Sequence, residues 1–164
     1  MRCHILRCDI RTSAAGVAAA ALGLLAACRT GAPRPRSPDE AIYIVADSTT
    51  GLPFSDAVRV GGMLYLSGQI GTGAGGKLVP GGIGPETRQT LENIRTVLER
   101  NGSSLDRVVK CTVMLADIGE WGAMNAVYVR YFPAHKPARS ALGASGLAMN
   151  ARVEIECWAT VATR

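Results

Sequence analysis

Histidine is scarce in this sequence, with two in 164 residues, and none of the five cysteines sits in a C-x-x-C pair or at ligand spacing from a histidine. The sequence patterns of a zinc site are therefore missing. His4 lies in the first few residues, and His135 lies in a loop between Pro133 and Pro137. Neither has a cysteine, an aspartate or a second histidine at triad-like positions, so a Ser/His/Asp hydrolase is not supported. Aromatics make up 5% of the chain and never interleave with a basic run. Nucleic-acid binding thus lacks its usual electrostatic footprint, despite a formal charge of +5. Gly71-Thr72-Gly73 is not followed directly by a helix pattern, which weakens any nucleotide-binding reading. No internal repeat is present, and the apolar run 14–27 is too short for a resident membrane span.

That short run reads as the core of an export signal. Arg2, Arg7 and Arg11 give it a basic start, and alanine, glycine and leucine dominate the run itself. It ends in Leu25-Ala26-Ala27-Cys28, which resembles a bacterial lipobox and implies cleavage before Cys28 with lipidation of its sulfur. We therefore expect a lipoprotein-type signal peptide at 1–27, a flexible tether at 28–40 and one domain at 41–164. The tether is rich in proline, glycine and arginine and has almost nothing to bury. More than one lipid chain would make the anchor durable. The expected location is the cell envelope, periplasmic or membrane-anchored. An ordinary secretory leader with a chance cysteine, or a cytoplasmic protein with a misassigned start, are the alternatives. Removing the leader takes away three arginines and one aspartate, so the charge falls from +5 to +3.

The domain is long enough for one modest core. Strand patterns occupy 42–45, 57–60 and 63–67, with Gly61-Gly62 suited to a tight hairpin. The glycine-dense stretch 71–84 reads as a loop. From Pro85 to Arg100 the period becomes helical, with Leu91, Ile94 and Leu98 on one face and a stop signal at Asn101-Gly102. A β-branched strand at 107–116 comes next, then a helix at 120–132 that buries some combination of Trp121, Met124, Val127, Tyr128 and Tyr131. Strands at 138–142 and 152–161 complete the order β-β-β-α-β-α-β-β. This predicts an α+β fold, a mixed sheet with two helices on one face. Cys111 and Cys157 each fall inside an apolar strand. They read first as small core hydrophobes, while a disulfide between them stays open because sequence does not fix their separation.

Two segments carry chemistry. Arg139 sits in Pro137-Ala138-Arg139-Ser140 at the start of a strand, and a guanidinium is a planar fork that grips a carboxylate bidentately. Glu154 lies in Val153-Glu154-Ile155-Glu156, where a carboxylate can move a proton or aim a water. The pair suggests a pocket for a small carboxylic acid that undergoes hydrolysis. The plainer alternatives are a surface arginine, or one ion-paired with Glu154 or Glu156, and for Glu156 the solvated face of an edge strand.

These segments, together with Gly62-Met63-Leu64-Tyr65-Leu66-Ser67-Gly68-Gln69-Ile70 and Gln89-Thr90-Leu91-Glu92-Asn93-Ile94, closely resemble the RidA/YjgF family of reactive-intermediate deaminases over about 54–161. The resemblance implies a chorismate-mutase-like fold and a homotrimer with active sites between subunits. It implies hydrolytic deamination of short 2-imino acids or their enamines, such as 2-aminoacrylate, to 2-keto acids and ammonia, with no metal and no organic cofactor. On this reading Arg139 binds the substrate carboxylate and Glu154 directs the water. Phe54, Ser67, Gly68, Asn125 and Ala141 line the substrate. Phe54 stands where well-characterised members carry tyrosine, Ala141 replaces a cysteine, and Gly146-Leu147-Ala148-Met149 lacks the family's Leu-Pro. The rival reading is a non-catalytic trimeric protein that binds small carboxylates at the envelope. A ribonuclease reading is weakest, given the absent nucleic-acid footprint.

Overall fold

A computed structural model of the chain describes residues 37, 40–46, 49 and 51–162. The expected signal peptide, Cys28 and nearly all of the tether lie outside the described residues. The elements are β1 (Ile42–Ile44), β2 (Ala57–Val60), β3 (Met63–Leu66), β4 (Gln69–Ile70), α1 (Ile83–Arg100), β5 (Val108–Leu115), α2 (Trp121–Tyr128), β6 (Ala138–Gly143) and β7 (Val153–Thr160). This is the expected order with one strand added, the two-residue β4, which falls just before the glycine-dense loop. α2 is shorter than its sequence pattern, because residues 129–131 continue only as hydrogen-bonded turns.

One seven-stranded sheet runs β1-β2-β3-β7-β5-β6, and β4 pairs with β7 beside β3. All pairings are antiparallel except β5 with β6, whose connection passes through α2. Gly61 takes the left-handed conformation in the two-residue hairpin between Val60 and Met63 (φ 55°), and Gly62 does not. α1 ends as the Asn101-Gly102 signal requires. Gly102 is left-handed (φ 74°), its N–H donates to Glu99, and the Ser103 N–H donates to Leu98. That is the Schellman arrangement, which satisfies carbonyls the helix leaves open.

Alternation along the strands decides what packs where. Leu64, Leu66, Val113, Leu115, Val153 and Ile155 face the helices and are buried with Leu91, Ile94, Leu98 and Met124. Cys111 and Cys157 face the same way, directly opposite each other on β5 and β7, and form a disulfide. Both are fully buried, so they serve the core as expected and also tie its two central strands together. A buried carboxylate adds a further tie. Glu86 of α1 accepts the Arg152 N–H at 2.6 Å, locking the helix to the entrance of β7. Gly71 must lack a side chain here, since an added Cβ would overlap the Glu86 side chain and lie 2.8 Å from its carbonyl oxygen. The motif residue Asn93 donates to the carbonyls of Ile70 and Thr72 at 3.0 Å and so fastens β4 to α1.

Candidate functional site

Arg139 lies on β6, the edge strand, opposite Cys111 of β5. Since Cys111 faces the helices, so does Arg139. α2 supplies its surroundings at i, i+4 and i+7 positions: Trp121, Asn125 and Tyr128 share one helix stripe. Arg139 Nη1 donates to Asn125 Oδ1 at 2.6 Å. Its guanidinium carbon lies 4.7 Å from the Tyr128 ring centroid and 5.7 Å from that of Trp121. Stacking on aromatic faces holds a guanidinium without consuming its in-plane donors, which stay available to a carboxylate. A cavity of about 310 Å³ opens beside it, lined by Asn125, Tyr128, Val129, Phe132, Lys136 and Arg139. The Tyr128 hydroxyl is buried with no hydrogen-bond partner among the described residues. Burial pushes its pKa up to about 12, opposed by the charge of Arg139.

Of the residues expected to be buried in some combination, Met124, Val127 and Tyr128 are, and Trp121 is not. It is 45% exposed rather than buried in the core, and its role is to flank the arginine. Tyr128 and Trp121 were missed as site residues. Their i, i+7 spacing around Asn125 was visible, but nothing in sequence said which strand residue that stripe would meet. Ala141 lies two residues beyond Arg139 on the same side of β6, packed against the core opposite Val113. His135 is an exposed loop residue, as expected.

Glu154 belongs to the other side of the sheet. It pairs with Met114 of β5 and Ile70 of β4, three residues from the helix-facing Cys157 and therefore on the opposite face. Its pKa is raised, first by desolvation and then by the neighbouring Glu156 charge. Arg139 and Glu154 were expected to serve one pocket, with the family's sites lying between subunits. Within one chain they face opposite sides of the sheet, because β6 and β7 flank β5 in a register that puts 139 with 111 and 157. Neither Glu154 nor Glu156 is an ion-pair partner of Arg139, whose side-chain partner is Asn125.

The strand beside Glu154 is built for it. Tyr65 pairs with Trp158, yet Gln69 pairs with Ile155, so four steps on one strand match three on the other. The extra residue is a β-bulge at Ser67-Gly68, a device that re-aims the chain next to functional sites. Gly68 leaves the carboxylate its place: an added Cβ would overlap Glu154 Oε1 and lie 2.8 Å from its Cδ. The Ser67 hydroxyl donates to the Ser55 carbonyl at 2.6 Å. Its proton is thus spent on the backbone, and toward a ligand Ser67 offers only acceptor capacity. That bond also fixes the segment carrying Phe54, which is 52% exposed. Phe54, Ser67, Gly68 and Glu154 form one group; Arg139 and Asn125 form another.

Among the described residues, no helix covers the sheet face bearing Glu154. Tyr43, Tyr65, Trp158 and Leu142 share this face by register and are all exposed. Tyr65 and Trp158 pack edge to face with centroids 5.4 Å apart. A larger groove of about 730 Å³ lies between β1, β4 and α1, lined by Asp56, Gln69, Asn93 and Arg100 among others. It contains neither Arg139 nor Glu154.

Known proteins resemble this arrangement. The sequence model of the family described as endoribonuclease L-PSP matches residues 47–161. The 2-iminobutanoate/2-iminopropanoate deaminase of Capra hircus is 47% identical over 105 residues, covering 63% of this chain and 77% of that protein. Protein HMF1 of Saccharomyces cerevisiae is 44% identical over 103 residues, covering 63% and 80% respectively. The crystal structure of YEO7_yeast has a TM-score of 0.70 and 37% identity, covering 75% of this chain and all of that one.

Proposed function

The chain belongs to the endoribonuclease L-PSP (RidA/YjgF) family, and from that premise we propose that it hydrolyses short 2-imino acids and their enamine tautomers to 2-keto acids and ammonia. Curated relatives bear the name 2-iminobutanoate/2-iminopropanoate deaminase, among them the goat protein at 47% identity. The observation that carries the reading is Arg139, clamped by Asn125 and stacked on Tyr128 at the mouth of a cavity sized for a small carboxylate. The guanidinium fork holds the substrate carboxylate. Backbone groups at Gly68 and Ala141 orient the C=N carbon. Glu154 takes a proton from water as its oxygen adds to that carbon and gives a proton to the nitrogen, forming a carbinolamine. It then takes the hydroxyl proton and passes it to the nitrogen as the C–N bond breaks, so that ammonia leaves and the C=O bond forms. An imine is already electrophilic, so positioning and one acid/base group suffice.

Arg139 and Glu154 face opposite sides of one sheet, so we propose that a complete site takes the arginine from one subunit and the glutamate from another, in a homotrimer. The helix-free face with Tyr65, Trp158 and Leu142 exposed supports this, since apolar surface of that kind is normally covered. The proposed setting is the cell envelope, with Cys28 lipidated. The Cys111–Cys157 disulfide supports it, because such bonds persist in oxidising compartments. Loss of palmitate labelling in Cys28→Ala tests that part.

The test of the site mixes Arg139→Ala and Glu154→Gln chains after co-refolding. Each homotrimer is expected to be inactive. After random mixing into cyclic trimers, each hybrid regains one site in three, which is about one site in four over all trimers. Keto-acid release at roughly a quarter of the parental rate is therefore expected. No recovery from demonstrated hybrids would mean both residues serve from one chain. An Arg139→Ala homotrimer as fast as the parent would sink the mechanism.

A further inference from the structure

The outer surface of the helix layer carries a second concave site, away from every residue assigned above. Arg88, Glu92 and Arg95 of α1 are spaced i, i+4 and i+7 and so share one stripe. The end of α2 and the turn after it bring Val127, Arg130 and Tyr131 alongside. These six residues line a cleft of about 400 Å³.

Its charge is unbalanced in a specific way. Glu92 is fully engaged: Oε2 accepts from Arg95 Nη1 at 2.7 Å and Oε1 accepts from the Tyr131 hydroxyl at 2.7 Å. Arg95 also lies over the Tyr131 ring, 5.2 Å from its centroid. The glutamate thus neutralises and orients one arginine. Arg88 and Arg130 make no ion pair among the described residues and line the same cleft. Three guanidiniums against one carboxylate leave two positive charges without a counter-charge. Two such groups converging repel each other unless an anion joins them.

We propose that this cleft binds a phosphate monoester dianion, carried by a small organic molecule or a lipid headgroup. The dianion matches the excess charge, whereas a single carboxylate leaves one guanidinium uncompensated. Arginine forks fit phosphate oxygens bidentately. Val127 and the Tyr131 ring form an apolar wall, and the volume leaves room for an organic portion beside the phosphate.

Calorimetric titration of the full chain with phenyl phosphate at low salt is the first arm. Saturable binding is expected, weakened roughly tenfold in Arg88→Ala or Arg130→Ala, the loss of one charged hydrogen bond. Arg130→Lys, which keeps the charge and loses the fork, falls between. Binding is expected to be unchanged in Arg139→Ala, and imine hydrolysis unchanged in the cleft variants. The second arm is co-sedimentation with phosphatidylcholine vesicles with and without phosphatidic acid. Arginine-dependent binding of phenyl phosphate alone assigns a soluble phosphorylated ligand, and arginine-dependent capture by phosphatidic acid assigns a headgroup. Absence of binding in both arms overturns the proposal. So does binding undiminished in a folded Arg88→Ala/Arg130→Ala double variant, or binding lost in Arg139→Ala.

Discussion

Gly68→Ala separates the placement of Glu154 from everything else in the proposed site. The added methyl carbon would lie 2.8 Å from Glu154 Cδ and 3.0 Å from Cγ, and would overlap Oε1. Carbon atoms settle at about 3.5–4.0 Å, so the carboxyl carbon must retreat by about 0.7 Å and its oxygen by more. A displacement near 1 Å at a reacting group costs on the order of 10²-fold in rate, or about 2.7 kcal/mol of activation free energy. The fold should be nearly indifferent. Gly68 has no left-handed φ, and the atoms it would strike end a side chain that can swing toward solvent. Arg139 lies across the sheet and keeps its grip, so the loss belongs in kcat with KM little changed. The assay generates a 2-imino acid enzymatically, follows keto-acid release above spontaneous hydrolysis, and records Tm in parallel. Placed on a Glu154→Ala background, the same methyl should cost nothing further, because its target is gone. A Gly68→Ala enzyme within about threefold of the parental kcat would refute the assignment of Glu154.

Glu154 has a raised pKa from desolvation first and Glu156 second. The acid limb of kcat/KM should therefore lie above the ordinary carboxylate range, and Glu156→Gln should move it down; an unmoved limb in Glu156→Gln would exclude Glu154 as its source. The raised folded value sets the sign for stability: this group favours the folded state increasingly as pH falls from that value to the ordinary one, and the benefit is complete below both. The Cys111–Cys157 link closes a separation of 46 residues, for which chain entropy gives about 4 kcal/mol. Cys111→Ala/Cys157→Ala should lower the denaturant midpoint accordingly, and an unchanged midpoint would deny the bond. Glu86→Ala strips the part-buried Arg152 N–H of its acceptor and should cost about 1–2 kcal/mol, several degrees of Tm, with Glu86→Gln costing less.

The fold was largely legible because its signals are local. Period-two runs, the 3.6-residue stripe of Leu91, Ile94 and Leu98, and the Asn101-Gly102 stop each decide a few residues at a time. β4 escaped notice because two residues cannot show a period, and its existence depends on the bulge at Ser67-Gly68. The site was legible as chemistry and not as geometry. Arg139 and Glu154 were named from residue type and resemblance, yet their side of the sheet depends on which strand β6 and β7 both join. Glu86 carries no signal at all: a glutamate in a first helical turn looks solvated until β7 presents an N–H to it.

The two halves of the proposed site also differ in how complete one chain leaves them. Arg139 already has an acceptor in Asn125 and aromatic faces from Tyr128 and Trp121. Glu154 is only partly desolvated, on a face where Tyr65 and Trp158 are still exposed. A second copy covering that face would remove more water from the carboxyl, and desolvation is the first cause of its raised pKa. Assembly would then tune the glutamate as well as bring it to the arginine. A glutamate shifted that way is a stronger base toward water and a readier proton source for the departing nitrogen.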